Sequence, residues 1–265
     1  GELDLALADI TVVIQADPKD PSAYSDRGCI WRDKSEFTKA VADFNEAIRL
    51  APKDANVYVC RATLWLNQND LEKAHQDIDQ AFKLGASDSH ALRTRANLQS
   101  RLGDIDKALT DVDEAIRLDP RDAFNFLTRG RFWYRKKDFQ KAIVDFSEGI
   151  RLNPTDATLY RLRGDAWRRL KRFDSAEQDY NEAIHLGSNE ACAYEHRGAL
   201  RSLRDQDEEA LADFKKALQL NQDSVNALYF RADLLFRRSK LDESLDDLDH
   251  ALKLDQSRAD LYILR

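Results

Sequence analysis

The sequence is poor in residues that mark cross-links, turns and chain starts. Its 265 residues include no methionine, three cysteines, five prolines and nine glycines. Because Cys29, Cys60 and Cys192 are odd in number, widely spaced and without any CxxC pair, they argue against a disulfide framework and favour a reducing, cytoplasmic compartment. The absence of methionine extends to the first residue, so we expect a processed protein or a piece of a longer one.

Long apolar runs are absent too. No stretch approaches about 18 consecutive apolar residues, and the first residues lack the basic and apolar regions of a signal peptide. We therefore expect no membrane anchor. Hydrophobic residues at 43% and charged residues at 34% are enough for a continuous core and exclude a disordered chain.

The residue patterns of catalysis and metal binding are also missing. The sequence has no glycine-rich phosphate loop, no nucleophile elbow and no Ser-His-Asp order. Its five histidines form no HxxxH pattern, and the pair Cys192 and His196 supplies only two metal donors. We expect no enzyme activity from this chain, no metal and no cofactor.

What the sequence does contain is a repeat. Between residues 21 and 256 it recurs every 34 residues without insertion or deletion, and two charged positions are constant in all eight copies. With the constant arginine numbered position 7, the constant aspartate falls at position 23. Internal repetition of this kind indicates a stacked-repeat solenoid, in which each unit buries its apolar face against its neighbours. The arginines are Arg27, Arg61, Arg95, Arg129, Arg163, Arg197, Arg231 and Arg265, and the aspartates are Asp9, Asp43, Asp77, Asp111, Asp145, Asp179, Asp213 and Asp247.

This numbering predicts one continuous domain of seven complete repeats. They are residues 21–54, 55–88, 89–122, 123–156, 157–190, 191–224 and 225–258. Residues 1–20 correspond to the second helix of a truncated leading repeat, and residues 259–265 to the start of a truncated eighth one. Because both partial repeats would expose apolar surface, head-to-tail self-association is one possibility, and such a heterologous contact could propagate into filaments.

Each repeat is predicted to form two helices. In residues 123–156 apolar residues recur twice at helical spacing, and residues 136–138 interrupt the pattern. Small residues such as Gly130 and Ala142 stand where helices must approach closely. All four tryptophans fall at position 11, which predicts helix packing rather than a ligand-stacking platform. They are Trp31, Trp65, Trp133 and Trp167.

The 34-residue period, the alternation of small and large residues and the prolines at the repeat end resemble the tetratricopeptide repeat family over essentially the whole chain. The prolines are Pro18, Pro52, Pro120 and Pro154. The resemblance implies an all-α fold, a right-handed α-solenoid of stacked antiparallel helix pairs whose first helices line the concave face. It also implies a scaffold for protein–protein interaction.

Charge is sorted between the two helices. Positions 1–14 of the seven complete repeats hold 21 Arg and Lys against 5 Asp and Glu, although the net charge of the chain is −7. With the resemblance, this implies a basic groove and an acidic outer surface. Seven of the positive charges are the constant arginine, which we expect to pair with the constant aspartate of its own or the preceding repeat.

The remaining basic residues concentrate in the third to fifth repeats. In the tetratricopeptide family, groove-facing side chains come mainly from positions 2, 5, 6, 9, 12 and 13. Arginine with interleaved aromatic rings suits an extended acidic or carboxylate-bearing peptide, and the alternative is a merely solvated basic surface. The candidate peptide-binding residues are Arg93, Asn97, Arg101, Phe124, Arg131, Tyr134, Arg135, Arg161, Arg168 and Arg169.

Three alternatives remain open at this point. The chain could be the regulatory or targeting arm of a larger enzyme. It could bind RNA along the basic groove, although a net charge of −7 disfavours capture of a polyanion. Finally, Cys29 and Cys60 stand at positions 9 and 6 of adjacent repeats, where they could approach one another as a regulatory thiol pair.

Overall fold

The computed structural model describes residues 1–187 and 191–265, so the predicted end of the fifth repeat, residues 188–190, lies outside the described residues. Within the described residues the chain forms sixteen α-helices and no strand. In chain order they are α1 Glu2–Ala16, α2 Pro21–Asp33, α3 Phe37–Leu50, α4 Ala55–Asn67, α5 Leu71–Lys83, α6 Ser89–Arg101, α7 Ile105–Leu118, α8 Ala123–Arg135, α9 Phe139–Leu152, α10 Ala157–Arg169, α11 Phe173–His185, α12 Ala191–Ser202, α13 Asp207–Leu220, α14 Val225–Arg237, α15 Leu241–Leu254 and α16 Ala259–Leu264.

The chain divides into two compact units, Gly1–Phe132 and Trp133–Arg265, and the division falls inside α8. In the first unit α2 packs against α3, α4 against α5 and α6 against α7, while α3 contacts α4 and α5 contacts α6. First helices of consecutive repeats also touch, α2 with α4 and α4 with α6. Phe44 lies fully buried among Ala40, Ala47, Val57 and Leu64, and burying such a side chain contributes about 1.5–3 kcal/mol.

The second unit repeats this arrangement. Here α10 packs against α11, α12 against α13 and α14 against α15, and each pair contacts the next through its second helix. Tyr180 and Phe214 fill the place that Phe44 has in the first unit. The predicted all-α fold of stacked helix pairs is confirmed. None of the helices in the described residues combines the length and apolar composition that a membrane span needs.

The constant arginine and aspartate form bidentate ion pairs within six of the seven complete repeats. In the first of them, Nε and Nη2 of Arg27 each donate to one oxygen of Asp43 at 2.7 Å. In several repeats Nη1 of the same arginine reaches the second helix of the preceding repeat, as from Arg61 to Asn45 at 2.6 Å. The predicted pairing of the constant arginine with the constant aspartate is therefore confirmed in six repeats, and each pair joins the two helices of its repeat. The other bidentate pairs are Arg61–Asp77, Arg95–Asp111, Arg163–Asp179, Arg197–Asp213 and Arg231–Asp247.

The tryptophans of position 11 lie at the edge of the core. Trp31, Trp65 and Trp167 pack against buried clusters of their own repeats, and Nε1 of Trp65 also donates to Asp77 at 3.0 Å. The predicted packing role is confirmed for these three. A lysine eight residues later covers the ring in three repeats, with Nζ at 4.5, 4.5 and 4.2 Å from the ring centre. These pairs are Lys39–Trp31, Lys73–Trp65 and Lys141–Trp133.

Position 8 on the first helix faces position 24 on the second, and the two residues are matched in size. A Cβ added to Gly28, Gly164 or Gly198 would lie 2.9, 2.8 or 2.7 Å from a ring atom of the aromatic residue at position 24. The aromatic residues are Phe44, Tyr180 and Phe214. Where position 8 is alanine, its partner is aliphatic, as in Ala62 with Ile78 and Ala232 with Leu248. The small residues are therefore required by the particular side chain opposite them.

The turn between the two helices of a repeat contains one residue in the left-handed conformation, at position 15. This residue is glycine only at Gly103. The other six have φ between 58° and 63°, a region that side chains with a Cβ adopt at some energetic cost. They are Ser35, Asn69, Lys137, Lys171, Asp205 and Ser239.

Candidate functional site

A pocket of about 470 Å³ opens on the first helices of the first unit. We call it the first-unit pocket. Every residue that lines it stands at position 2, 5, 6, 9, 12 or 13 of its repeat, the positions at which the family resemblance predicts groove-facing side chains. The pocket is lined by Arg32, Asp33, Thr63, Leu66, Asn67, His90, Arg93, Thr94, Asn97, Arg101, Phe124 and Arg131.

Two arginines of this pocket are held by bonds to the neighbouring repeat. Nη1 of Arg93 donates to Asp122 and, at 2.8 Å, to Oδ1 of Asn125. Nη1 of Arg101 donates to the carbonyl oxygen of Leu66 at 2.6 Å, near the C-terminal end of α4. Both side chains thus have a structural role besides any role in binding, and their orientation is fixed before a ligand arrives.

The other polar groups of the pocket leave it positively charged. It holds four arginines against one aspartate, Asp33, whose Oδ1 accepts a bond from Nε of Arg32 at 3.0 Å. Loss of hydration and the nearby charge of Arg93 lower the pKa of His90, so its imidazole is neutral near pH 7. Phe124 is 56% exposed, and the guanidinium of Arg93 lies 5.8 Å from its ring centre. Such a surface can hold a carboxylate or phosphate next to an apolar side chain.

First helices of consecutive repeats meet where position 9 of one faces position 6 of the next. We call this line the first-helix seam. Oγ1 of Thr63 lies 3.5 Å from Oγ1 of Thr94, and in the second unit Oδ1 of Asp165 lies 2.7 Å from Nδ1 of His196. The seam is built in the same way in both places, but the chemistry of the pair differs from repeat to repeat.

The second unit contains the other five predicted residues. Tyr134 and Arg135 lie at the end of α8, and Arg161, Arg168 and Arg169 lie on α10. Nε of Arg169 donates to the hydroxyl of Tyr134 at 3.1 Å, and the Tyr134 ring packs edge-on against Phe139. Arg161 approaches Asp165 at 3.5 Å. Among these five predicted residues, Tyr134 and Arg169 are hydrogen-bonded to each other.

Asp165, at position 9 of the fifth repeat, is bonded to side chains of neighbouring helices. Its Oδ1 accepts a bond from the hydroxyl of Tyr180 at 2.8 Å and lies against His196. Burial by itself would raise the pKa of Asp165, but the bonds from His196 and Tyr180, with the charge of Arg161, outweigh burial and hold that pKa below its ordinary value. Burial and the neighbouring Asp165 raise the pKa of Tyr180. The carboxylate of Asp165 is therefore held by Tyr180 and His196 within the second unit.

A second pocket, of about 400 Å³, opens on α12 and α14 of the second unit, and we call it the second-unit pocket. Its floor is aromatic: Phe230 stacks on buried Phe214 with 6.1 Å between ring centres, and Tyr229 packs edge-on against Phe230. Sequence reasoning missed this pocket, although Tyr229, Phe230 and Leu203 stand at groove positions. It is lined by Arg168, Ala199, Ser202, Leu203, Phe214, Tyr229, Phe230, Asp233 and Arg237.

The structure thus places the ten predicted residues in two groups. Arg93, Asn97, Arg101, Phe124 and Arg131 line one pocket of the first unit. Arg168 lines the second-unit pocket. Sequence reasoning missed Arg32 because it applied the six positions only to the third to fifth repeats. It also left out His90 and Thr94, although they stand at positions 2 and 6 of the third repeat. Among the described residues, no group of three or more histidines, cysteines or acidic residues could hold a metal ion.

Stacked helix pairs with a charged groove face define a helical-repeat protein, a class that forms protein-interaction scaffolds. The family model of the tetratricopeptide repeat matches residues 1–55, 61–123, 93–148, 132–191 and 208–259, and the chain belongs to this family. Tetratricopeptide repeats bind protein partners, and the fold is typically a non-catalytic scaffold. No curated protein sequence matches the chain.

Solved structures share the fold at low sequence identity. In the APC/C hetero-tetramer Cut9–Hcn1, 99% of this chain aligns with 52% of the other at a TM-score of 0.84 and 16% identity. The chain therefore spans about half of that relative. The human IFIT1 dimer with PPP-AAAA matches 95% of the chain and 68% of its own at a TM-score of 0.73 and 16% identity. A tetratricopeptide repeat protein from Parabacteroides merdae matches 92% of the chain and 96% of its own, with TM-score 0.70 and 18% identity.

Proposed function

We propose that this chain is a scaffold that binds an extended acidic or carboxylate-bearing peptide on its groove face. The observation that carries the proposal is the first-unit pocket, whose lining contains four arginines and one aspartate and lies entirely on first helices. Arg93 and Arg101 are already oriented by the neighbouring repeat, so binding of an anion orders few additional side chains. Phe124 offers an apolar surface next to the charges.

The second unit contributes a different kind of contact. Its pocket combines the rings of Tyr229 and Phe230 with Arg168 and Arg237 at the rim. Nη2 of Arg237 donates to Ser202, and its Nε lies 3.3 Å from Asp233, so its charge is partly balanced. We expect this pocket to take a large apolar side chain of the peptide. An acidic segment fits the first-unit pocket, and a segment with an aromatic or aliphatic side chain fits the second-unit pocket.

A triple charge reversal tests the proposal. Arg131→Glu, Arg135→Glu and Arg168→Glu together should weaken binding of a partner by at least about tenfold, or about 1.4 kcal/mol, because attraction becomes repulsion along the groove face. Binding to the wild type should also weaken as salt rises. The comparison is a pull-down with both proteins, scored by mass spectrometry and followed by titration of the captured partner's acidic segment as a synthetic peptide.

The chain offers a matched control. Arg49, Arg117 and Arg151 are exposed on second helices, where each pairs with a glutamate three residues earlier. Reversing these three arginines to glutamate changes the net charge by the same amount, and binding should stay within about twofold of the wild type. Equal loss of binding in both triple variants would show that only total charge matters and would reject a groove site.

RNA is the alternative ligand for the same groove face. The structure of human IFIT1 with PPP-AAAA shares the fold at a TM-score of 0.73, but the net charge of −7 on this chain opposes capture of a long polyanion. A filter-binding assay with a 5′-triphosphorylated oligonucleotide at low salt decides between them. Retention on the filter that disappears in the groove triple variant, without any peptide binding, would favour RNA.

A further inference from the structure

Cys29 and Cys60 lie on the first-helix seam of the first unit. Cys29 stands at position 9 on α2 and Cys60 at position 6 on α4, and both half-buried side chains pack against the cluster around Phe44. The third cysteine, Cys192, is exposed on α12 in the other unit. The sequence therefore holds one pair of neighbouring cysteines and one separate cysteine that serves as an internal reference.

The seam places Cys29 and Cys60 at facing positions of consecutive first helices, against the same buried cluster. At the same two positions one repeat later, the side-chain oxygens of Thr63 and Thr94 are 3.5 Å apart. Because repeats are similar structural units, we expect a similar approach of the side chains at Cys29 and Cys60. A disulfide needs Cβ atoms about 3.5–4.5 Å apart, so formation of the bond in the folded chain tests this approach directly.

The two thiols are not equivalent. The hydrogen bond from Cys60 lowers the pKa of Cys29, and the nearby charge of Arg32 acts in the same direction. The same bond, together with burial, raises the pKa of Cys60. Since the thiolate is the nucleophile in thiol oxidation, Cys29 is the attacking sulfur and Cys60 is the resolving one.

We propose that Cys29 and Cys60 form a modification site at which hydrogen peroxide closes an intramolecular disulfide between the first helices of two consecutive repeats. The Cys29 thiolate attacks one peroxide oxygen, the O–O bond breaks, and hydroxide leaves. The sulfur of Cys60 then attacks the sulfenic sulfur of Cys29, the S–O bond breaks, and the second oxygen also leaves as water after protonation. Two thiols lose two electrons and two protons, and one peroxide becomes two waters.

The disulfide lies beside the first-unit pocket. Arg32 follows Cys29 by one helical turn, Thr63 follows Cys60 by one turn, and both line the pocket. Closing the bond ties α2 to α4 at the edge of the pocket. The chemistry of the pair does not depend on which ligand the pocket takes, so its test is separate from the binding experiments.

The experiment treats the folded full chain with a small excess of hydrogen peroxide, alkylates the remaining thiols and measures the intact mass. We expect a monomer that has lost about 2 Da and retains one alkylatable cysteine, which peptide mapping identifies as Cys192. Cys192→Ser should form the same disulfide at the same rate. Addition of about 16 or 32 Da without a disulfide, or a bond that uses Cys192, overturns the proposal.

Two further variants test the order of attack. In Cys60→Ser, Cys29 should accumulate as a sulfenic acid that a dimedone-type reagent traps, because the resolving sulfur is gone. In Cys29→Ser, Cys60 should react at least about tenfold more slowly. The wild type unfolded in urea should close the bond much more slowly than the folded chain. Equal rates in both cysteine variants, or in folded and unfolded protein, contradict the assignment.

Discussion

At the scale of single residues, the constant arginine and aspartate are explained by structure rather than by ligand binding. In six of the seven complete repeats the aspartate is buried and receives two bonds from its arginine, as Asp43 does from Arg27. Loss of one partner would leave a buried charge without compensation, which typically costs about 3–5 kcal/mol. The same requirement in successive repeats explains why the same two residues recur along the chain.

The left-handed residue of the turn gives a prediction at this scale. Lys137 and Lys171 have φ of 63° and 58°, so replacing either by glycine removes a steric conflict between Cβ and the backbone. We expect Lys137→Gly and Lys171→Gly each to stabilise the protein by about 0.5–1 kcal/mol, measured by urea denaturation. Gly103→Ala at the equivalent turn should destabilise it. Destabilisation by both glycine variants would show that the larger conformational entropy of glycine in the unfolded state decides the outcome.

At the scale of helices, the size match between positions 8 and 24 decides how closely the two helices of a repeat approach. Gly28 faces Phe44, whereas Ala62 faces Ile78. We expect Gly28→Ala to destabilise the protein by about 1–3 kcal/mol, although alanine is the better helix former. An aliphatic residue at position 24 should compensate for alanine at position 8, because other repeats of this chain already contain that combination.

A double-mutant cycle measures this coupling. Phe44→Ile alone leaves a cavity and should also destabilise, whereas Gly28→Ala with Phe44→Ile should be more stable than the sum of the single changes by about 1 kcal/mol or more. Equilibrium unfolding of the four proteins in urea gives the coupling energy. If the effects of the two substitutions on the free energy of unfolding are additive, the Phe44 ring moves aside without strain when Gly28 is replaced by alanine.

Helix starts provide a pH-dependent prediction. Asp70 and Asp138 accept a bond from the backbone N–H of Lys73 and Lys141 at 3.1 Å. The side chain of Lys73 holds the pKa of Asp70 below 3.8, and chiefly the backbone N–H of Lys141 does so for Asp138. A carboxyl group with a lowered pKa stabilises the fold above its unfolded pKa, and this contribution is lost as pH falls through the folded value.

Asp70→Asn with Asp138→Asn should therefore make stability less dependent on acid. Asparagine keeps the capping oxygen but does not ionise. Between about pH 6 and about pH 3 the urea midpoint should fall further for the wild type than for the double variant. Identical decreases would assign the acid sensitivity to other carboxyl groups.

Much of the fold was predictable from the sequence, and the candidate site only in part. Helix pairs, the Arg–Asp pairs and the packing role of the tryptophans follow from a period that repeats the same requirement many times. The aromatic floor of the second-unit pocket was missed because Tyr229 and Phe230 occur in a single repeat, where no recurrence separates them from core residues. Nor could sequence show that Arg93 and Arg101 bond to the neighbouring repeat, since this depends on how two repeats meet.

At the scale of the whole molecule, stability should be the sum of repeats and of the contacts between neighbours. We expect deletion of residues 55–88 to leave helix content per residue unchanged, to lower the urea midpoint and to reduce the denaturant slope by roughly an eighth, in proportion to the surface removed. Circular dichroism and urea denaturation measure these quantities. A deletion variant without cooperative unfolding would show that the second repeat is indispensable for its neighbours.

The first-helix seam has a consequence for repeats moved between proteins. The residues at positions 8 and 24 belong to the same repeat, so a transplanted repeat keeps their packing. Each seam pair is shared by two adjacent repeats, so transplanting one repeat separates the two residues. In a graft of residues 55–88, Thr63 would meet whichever residue the host has at position 6, and Cys60 would meet the host's position 9. A compatible host is therefore chosen by its seam residues, and two repeats transplanted together preserve one native pair.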